Sequence, residues 1–216
     1  MSERLREGFR EGLPFGVAAL LVGVSFGVLA EPVLGATAAI VMSAIVFAGS
    51  SQFAALAVLA SGGGAVAAIV AGALLNMRFL AMGIALAPSL RGGPLRRAAE
   101  GQAVVDASWA LANRGQGRFD RDLLVGATLA QYPCWVIGTA IGALGGGLLD
   151  DPRTLGLDAI FPAFFLALMW DDLKDRRALA VAAASAALAL ALVPFTPAGV
   201  PVIAACVPAI IGARWR

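Results

Sequence analysis

Three long stretches of this chain contain no charged residue, and this feature limits the possible folds more than any other. They extend from Pro32 to Met77, from Leu123 to Leu149 and from Ala178 to Ala213. A helix needs about 20 consecutive apolar residues to cross the hydrocarbon core of a bilayer. A soluble domain would lack the polar surface to cover all three stretches. We therefore predict an all-α integral membrane protein.

The overall composition supports the same class of protein. Of the 216 residues, 60% are hydrophobic and 14% are charged, whereas soluble domains average about 45–50% apolar and 25% charged residues. The net charge of +2 indicates no nucleic-acid partner. Histidine, the commonest general base and a frequent ligand of catalytic zinc, is absent from the sequence. We therefore expect no enzyme, no metal and no cofactor.

Polar interruptions divide the chain into a polytopic helical bundle of six to eight membrane segments, some of them broken or re-entrant. We predict an interfacial amphipathic N-terminus over residues 1–12 and a single transmembrane transporter domain over residues 13–213. The segments are Leu13–Ala30 (ended by Glu31-Pro32), Val33–Ala60, Ala65–Pro88, Gly101–Asn113, Leu123–Leu149, Leu155–Trp170, Ala178–Val193 and Val202–Ala213.

Two topologies fit the positions of Lys and Arg, and both place the two termini in the cytoplasm. In the first, Val33–Ala60 is a pair of half-helices that enters and leaves on the outer side, and residues 101–113 are re-entrant or interfacial on the cytoplasmic side. This arrangement puts fourteen of the sixteen basic residues inside. In the second, both segments cross fully, which gives eight spans and leaves eleven of the sixteen inside. Because basic residues favour the cytoplasmic side, the charges favour the first topology.

Ionisable side chains within or beside the predicted spans are candidates for function because such residues are costly in a membrane. Arg78 lies too deep in its span for easy snorkelling, which favours a functional role or a buried pair. Asp106 is either a helix-surface residue or a partner for Arg78. Asp158 begins a span, where the helix dipole alone explains a carboxylate. Asp106 and Asp158 are the candidates for proton or ion coupling.

The only polar patch in the segment Val33–Ala60 is Gly49-Ser50-Ser51-Gln52. These residues weaken a helix, and a broken helix exposes N–H and C=O groups that bind a zwitterion. The alternative is close helix packing by small residues. Asn76-Met77-Arg78 offers a second polar wall. The predicted substrate site consists of Phe15, Phe47, Gly49, Ser50, Ser51, Gln52, Phe53, Asn76 and Arg78.

The four tryptophans lie mostly near proposed segment ends, where we expect them at the membrane–water interface. They are Trp109, Trp135, Trp170 and Trp215.

Four short motifs, in this order, are similar to those of the AzlC family of bacterial branched-chain amino acid exporters. They are Gly12-Leu13-Pro14-Phe15-Gly16, Phe47-Ala48-Gly49-Ser50-Ser51-Gln52, Asn76-Met77-Arg78 and Leu157-Asp158-Ala159-Ile160-Phe161-Pro162-Ala163. The resemblance covers roughly residues 8–213. It departs from the family's pattern before Gln52, where the family commonly has Gly-Ala instead of Gly-Ser.

The resemblance implies export of valine, leucine or isoleucine across the cytoplasmic membrane of a bacterium. It also implies a partner, a small AzlD-like membrane subunit of about half this length, within the lipid bilayer. The sequence has no Walker motif, so we expect a secondary transporter. The alternative is a membrane scaffold or assembly subunit without its own transport pathway, which the Ala- and Gly-rich helices also fit.

Overall fold

The computed structural model describes residues 2–90, 92–115, 117–146, 156, 159, 163, 166, 170, 172–196 and 200–213. Among these residues the regular structure is helical and includes no β-strand, which confirms the predicted all-α class. The α-helices are α1 (Glu3–Leu34), α2 (Ala36–Val46), α3 (Gly49–Ala60), α4 (Ala65–Leu86), α5 (Pro94–Gly101), α6 (Asp106–Ala112), α7 (Arg121–Gly145), α8 (Arg176–Leu192), α9 (Val200–Ala204) and α10 (Cys206–Ala213).

Helices α1, α4 and α7 are long and apolar enough to cross a membrane. Asp158, Phe161-Pro162 and most of the predicted span Leu155–Trp170 lie outside the described residues. The chain forms two compact units, one of residues 1–49 and 76–155, the other of residues 50–75 and 156–216.

The start and end predicted for the first span are wrong, because α1 runs without interruption from Glu3 to Leu34. Ser2 caps the helix by accepting a hydrogen bond from the Leu5 N–H (3.2 Å), and Glu3 favours the positive end of the helix dipole. Pro14 is therefore an internal residue and not a helix start. Pro32 does not end the helix at once either: it removes one hydrogen bond, to the Val28 carbonyl, and only Val33 and Leu34 follow it in the last turn.

Helices α1 and α7 form the most extensive helix pair of the first unit, and they run parallel. The backbone of α7 is so close that a Cβ on Gly8 would lie 2.5 Å from the Leu123 oxygen, and a Cβ on Gly12 2.7 Å from the Ala127 oxygen. The contacts continue along both helices in the same order. Further members of this small-residue seam are Gly16 with Ala130, Gly23 with Trp135, and Gly27 with Thr139.

The parallel pairing places the N-terminal ends of α1 and α7 on one side. The Ser2 hydroxyl donates to Asp122 across these two ends at 2.8 Å. Helix α5 lies on this same side, because Glu100 forms an ion pair with Arg121 at the first residue of α7. We call this side the N-terminal side.

The alternative in which residues 101–113 cross the membrane is wrong for this structure. The helix in that segment, α6, has only 7 residues, or about 10 Å of helix, whereas the hydrocarbon core is about 30 Å thick. The Glu100–Arg121 pair also keeps Arg96 and Arg97 near the start of α7, although the eight-span topology would separate them by a membrane.

The predicted break in Val33–Ala60 is confirmed, but it lies at Phe47-Ala48, and the residues predicted to form the break, Gly49–Gln52, are the first turn of α3. Helix α2 has 11 residues and α3 has 12, so each is about 16–18 Å long and too short to cross alone. Between them Phe47 has a left-handed backbone (φ 43°), which is the only positive φ outside glycine among the described residues. A bulky residue adopts this conformation only where its surroundings hold it there.

In the second unit, α3 and the first half of α4 pack closely, because Gly72 lets the two helices approach. A Cβ at Gly72 would lie 3.4 Å from the Ser51 carbonyl oxygen. Farther along the chain, Gly212 of α10 lies against Val181 of α8. A Cβ added at Gly212 would be 2.6 Å from the Val181 Cγ2.

Candidate functional site

The break after α2 is held in place by side chains from two other segments of the first unit. A helix end leaves carbonyl groups without partners, and in a membrane each such group costs several kcal/mol. Here the Tyr132 hydroxyl donates to the Ala44 carbonyl (2.9 Å), and the Gln102 amide donates to the Ile45 carbonyl (2.8 Å). The end of α2 is therefore a specified feature of the fold and not a frayed terminus.

Aromatic rings surround the break within this unit. The Phe47 ring meets Tyr132 edge-on, with centroids 5.1 Å apart, and Trp135 stacks on Phe26 at 6.1 Å. Gly49 lies directly against the Trp135 indole, since a Cβ there would be 3.1 Å from the ring. Gly49 thus allows the chain to begin α3 beside an aromatic surface.

Trp135 is a residue of this site that the sequence interpretation missed. Only 5% of its surface is exposed, so its predicted place at the membrane interface is wrong. Its indole N–H is buried and has no hydrogen-bond partner among the described residues. A buried donor without a partner is costly, and it is available to a ligand that supplies an acceptor.

Two hydrogen-bonded hydroxyl side chains, Ser43 and Thr139, join α2 to α7. The Thr139 hydroxyl donates to the Trp135 carbonyl at 3.0 Å, and the Ser43 and Thr139 hydroxyls share a hydrogen bond of 2.8 Å. Both residues are completely buried. This pair fixes the register between the two helices and thereby the position of Phe47.

The other predicted site residues beyond Gly49 fall at the start of α3 and belong to the second unit. Ser50, Ser51 and Gln52 are all buried, and Gln52 is completely inaccessible. Phe53 is also buried. Polar side chains at such depth in an apolar helix are costly unless they serve packing or a ligand.

Arg78 and Asp106 form an ion pair across α4 and α6 in the first unit, with Nη2 and Oδ2 2.8 Å apart. Two alternatives were predicted for Asp106, and the structure shows that it is the partner of Arg78. Both side chains are partly exposed, at 32% and 39%. Two residues before Arg78, the side-chain amide oxygen of Asn76 (Oδ1) is buried and has no hydrogen-bond partner among the described residues.

Phe15 on α1 is more exposed than the other aromatic residues of the predicted site, with 42% of its surface accessible. Its ring is available to lipid or to a partner subunit. Asp158 lies outside the described residues.

Comparison with known proteins shows the family. A family model described as AzlC protein matches residues 14–149, more than half of the chain. The chain belongs to the AzlC family. The matched range of this AzlC-family chain includes the break after α2, the Arg78–Asp106 pair and the whole of α7.

Relatives of nearly full length agree with membership of the AzlC family. Inner membrane protein YgaZ of Escherichia coli (strain K12) is 27% identical over 235 residues, which cover 100% of this chain and 93% of YgaZ. An uncharacterized membrane protein of Archaeoglobus fulgidus is 30% identical over 215 residues, covering 98% of this chain and 95% of that protein.

A relative with a functional name is the branched-chain amino acid transport protein AzlC of Bacillus subtilis (strain 168). It is 26% identical over 181 residues, which cover 80% of this chain and 69% of that protein. No solved structure matches the chain. Together, the apolar helices and these relatives identify the chain as a multi-pass membrane protein of the AzlC family.

Proposed function

We propose that this chain is a secondary transporter that exports branched-chain amino acids across the cytoplasmic membrane of a bacterium. The observation that carries the proposal is the supported helix break at Phe47, which lies among aromatic rings that include Trp135 with its unpaired indole N–H. The substrate class comes from the name of the Bacillus subtilis relative. A small AzlD-like subunit is the proposed partner, on the basis of the family resemblance.

The break offers chemistry suited to a zwitterion. The unpaired indole N–H of Trp135 can donate to a carboxylate. The faces of Phe47 and Tyr132 suit an ammonium group or an aliphatic side chain. In this proposal the rings of Phe47 and Tyr132 select for apolar amino acids. The indole N–H of Trp135 contributes to the affinity for the zwitterion.

The remaining predicted residues stay in the proposal as substrate-binding residues. Ser50, Ser51, Gln52 and Phe53 directly follow Gly49 in the sequence, and Phe15, Asn76 and Arg78 belong to the first unit.

Asp106 is the proposed carrier of the coupling proton or ion, together with Asp158. The Arg78 guanidinium pairs with the Asp106 carboxylate at 2.8 Å. Protonation of Asp106 would weaken the pair, and a substrate carboxylate that competes for Arg78 would have the same effect. Such competition is a direct way to link substrate binding to proton movement.

We also propose that residues 35–64 enter and leave on one side of the membrane. Helix α1 leads away from the N-terminal side. Helix α4 ends on that side, since Leu86 packs with Val104 and Leu124 and the Ala87 carbonyl accepts from Arg97 (2.8 Å). If α4 crosses once, both ends of the α2–α3 segment lie opposite the N-terminal side. The basic residues favour the cytoplasm for the N-terminal side and for both termini.

Cysteine labelling tests this topology. In a variant without Cys134 and Cys206, we expect an impermeant maleimide added to intact cells to label Thr37→Cys and Ser61→Cys. Gly93→Cys should react only after the membrane is opened. Labelling of Ser61→Cys on the same side as Gly93→Cys would show instead that the α2–α3 segment crosses fully.

Transport itself is tested with labelled leucine in inverted vesicles that contain the chain and the small subunit. We expect uptake into these vesicles, which corresponds to export from cells, and a loss of at least about tenfold in Gln52→Ala, equal to 1.4 kcal/mol of interaction. The matched control is Gln131→Ala, because Gln131 is equally buried but donates within its own helix to the Ala127 carbonyl (3.1 Å).

Absence of leucine and valine flux, with both subunits present in the membrane, would contradict the transporter proposal and favour the scaffold alternative. If Gln52→Ala and Gln131→Ala transport equally well, the site is misplaced even if transport is real.

A further inference from the structure

The segment between α6 and α7 is a short hairpin that holds two arginines in a defined position. Asn113 and Phe119 form an antiparallel bridge, and the Arg114 N–H donates to the Arg118 carbonyl at 2.8 Å. The Phe119 ring packs on Trp109, with centroids 5.0 Å apart, which anchors the hairpin to the helical bundle. Arg114 and Arg118 are both exposed, and neither forms an ion pair with a carboxylate among the described residues.

This hairpin borders a cleft of about 500 Å³ at the start of α7. Such a volume lies within the usual range of small-molecule sites. The charged residues that line the cleft are Arg96, Arg114, Arg118, Asp120, Arg121 and Asp122.

The two acidic groups of the cleft are already engaged, whereas two of the arginines are not. Asp120 caps α7 by accepting from the Asp122 N–H (3.0 Å), and Asp122 binds Arg121 (2.9 Å) and the Ser2 hydroxyl (2.8 Å). Arg114 and Arg118 thus have no ion-pair partner among the described residues, and the lining holds four arginines against two aspartates, so the cleft favours an anion.

A buried carboxylate holds the inner arginines of the cleft. Glu100 is 8% exposed and accepts from Arg96 Nε at 3.0 Å and from Arg121. The hydrogen bond from Arg121 lowers the pKa of Glu100, with a smaller contribution from Arg96. Glu100 is thus ionised at neutral pH, and its second oxygen, Oε2, is buried without a partner among the described residues.

The position of the cleft indicates which kind of anion it meets. The charges end at Asp122 and the apolar stretch of α7 begins at Leu123, so the cleft lies where a crossing helix enters the bilayer. Leu95, which directly precedes Arg96 on α5, is 89% exposed. A short helix with an exposed leucine beside arginines is typical of a segment at the level of the lipid headgroups.

We propose that this cleft binds the phosphate headgroup of an anionic phospholipid, with Arg114 and Arg118 as the principal contacts. Basic pockets at the cytoplasmic side of membrane proteins bind such headgroups. Glu100 is a positioning residue, because its carboxylate pairs with both Arg96 and Arg121 of the cleft.

The purified full chain in detergent tests the proposal with phosphatidylglycerol and phosphatidylcholine as probes, measured by native mass spectrometry. We expect preferential binding of phosphatidylglycerol, and a loss of about tenfold or more when Arg114→Gln and Arg118→Gln are combined. The matched control combines Arg6→Gln and Arg10→Gln, which removes the same charge from exposed positions of α1 outside the cleft. This control should bind phosphatidylglycerol as the wild type does.

A variant with Arg114→Lys and Arg118→Lys keeps the charge and should retain most of the binding, which separates loss of the site from loss of the fold. Equal binding of the two lipids, or equal loss in the cleft and control variants, would overturn the proposal. Glycerol 3-phosphate is the soluble arm of the test. If it displaces the lipid at equal concentration, the cleft serves a soluble phosphate and the lipid assignment is wrong.

Discussion

Replacing Gly138 by leucine is expected to remove most of the folded protein from the membrane. Gly138 lies in the small-residue seam, where a Cβ would collide with the Leu20 carbonyl oxygen and lie 3.1 Å from the Val24 nitrogen. The obstacle is backbone, which cannot rotate away as a side chain can. Overpacking costs about 1–3 kcal/mol even in cores that can adjust, and here α1 and α7 must separate along their length.

The matched control is Gly145→Leu on the same helix, because a Cβ at Gly145 meets nothing within 4 Å. Both variants make the same change of residue type and increase hydrophobicity equally, so only the contact with α1 differs. Thermal unfolding in detergent, followed by circular dichroism, and the amount of protein in the membrane are the measurements. Equal stability of the two variants would mean that the close α1–α7 contact does not hold the unit together.

Neutralising Arg78 and Asp106 together is expected to abolish most transport while the protein still folds. Arg78→Gln combined with Asp106→Asn replaces the ion pair by two neutral, polar side chains. Removal of both charges avoids the penalty of leaving one partner unpaired. If the charges act on substrate or proton, as proposed, leucine flux should fall at least about tenfold.

The control for this variant is another ion pair of the same unit, Arg4–Glu7, with a distance of 2.9 Å and both side chains exposed. Arg4→Gln combined with Glu7→Gln should leave flux close to that of the wild type, since exposed pairs contribute little. Membrane levels of both variants are compared by immunoblotting. Full leucine flux in the neutral Arg78–Asp106 variant would show that the pair serves only the packing of α4 on α6.

The all-α membrane fold and the break in α2–α3 were predictable because both depend on local composition. Long uncharged stretches must be helical in lipid, and Gly49 with the polar residues after it is a local reason for a helix to stop. The limits of α1 were not predictable in this way. Its charged first turns resemble an interfacial segment, and only the cap at Ser2 and the packing on α7 make them part of one long helix.

The surroundings of the site depended on contacts far apart in the sequence. Tyr132 reaches Ala44 across 88 positions and Gln102 reaches Ile45 across 57, and no pattern in one sequence indicates such pairs. The burial of Trp135 follows from the pairing of α7 with α1 and α2, so its isolated sequence position suggested the interface instead. The sequence marks Arg78 and Asp106 as ionisable residues within or beside apolar segments. Their pairing was only one of two alternatives, because it depends on the position of α6 beside α4.

The parallel pairing of α1 and α7 has a consequence for how the chain is made. Helix α1 ends at Leu34 and α7 begins at Arg121, with α2 to α6 between them. At about 5–20 residues per second, α1 waits roughly 4–17 s in the membrane before α7 has begun to emerge. Until then its glycine-lined face has no permanent neighbour, so biogenesis of this protein requires that something else, lipid or an insertion factor, occupy that face first.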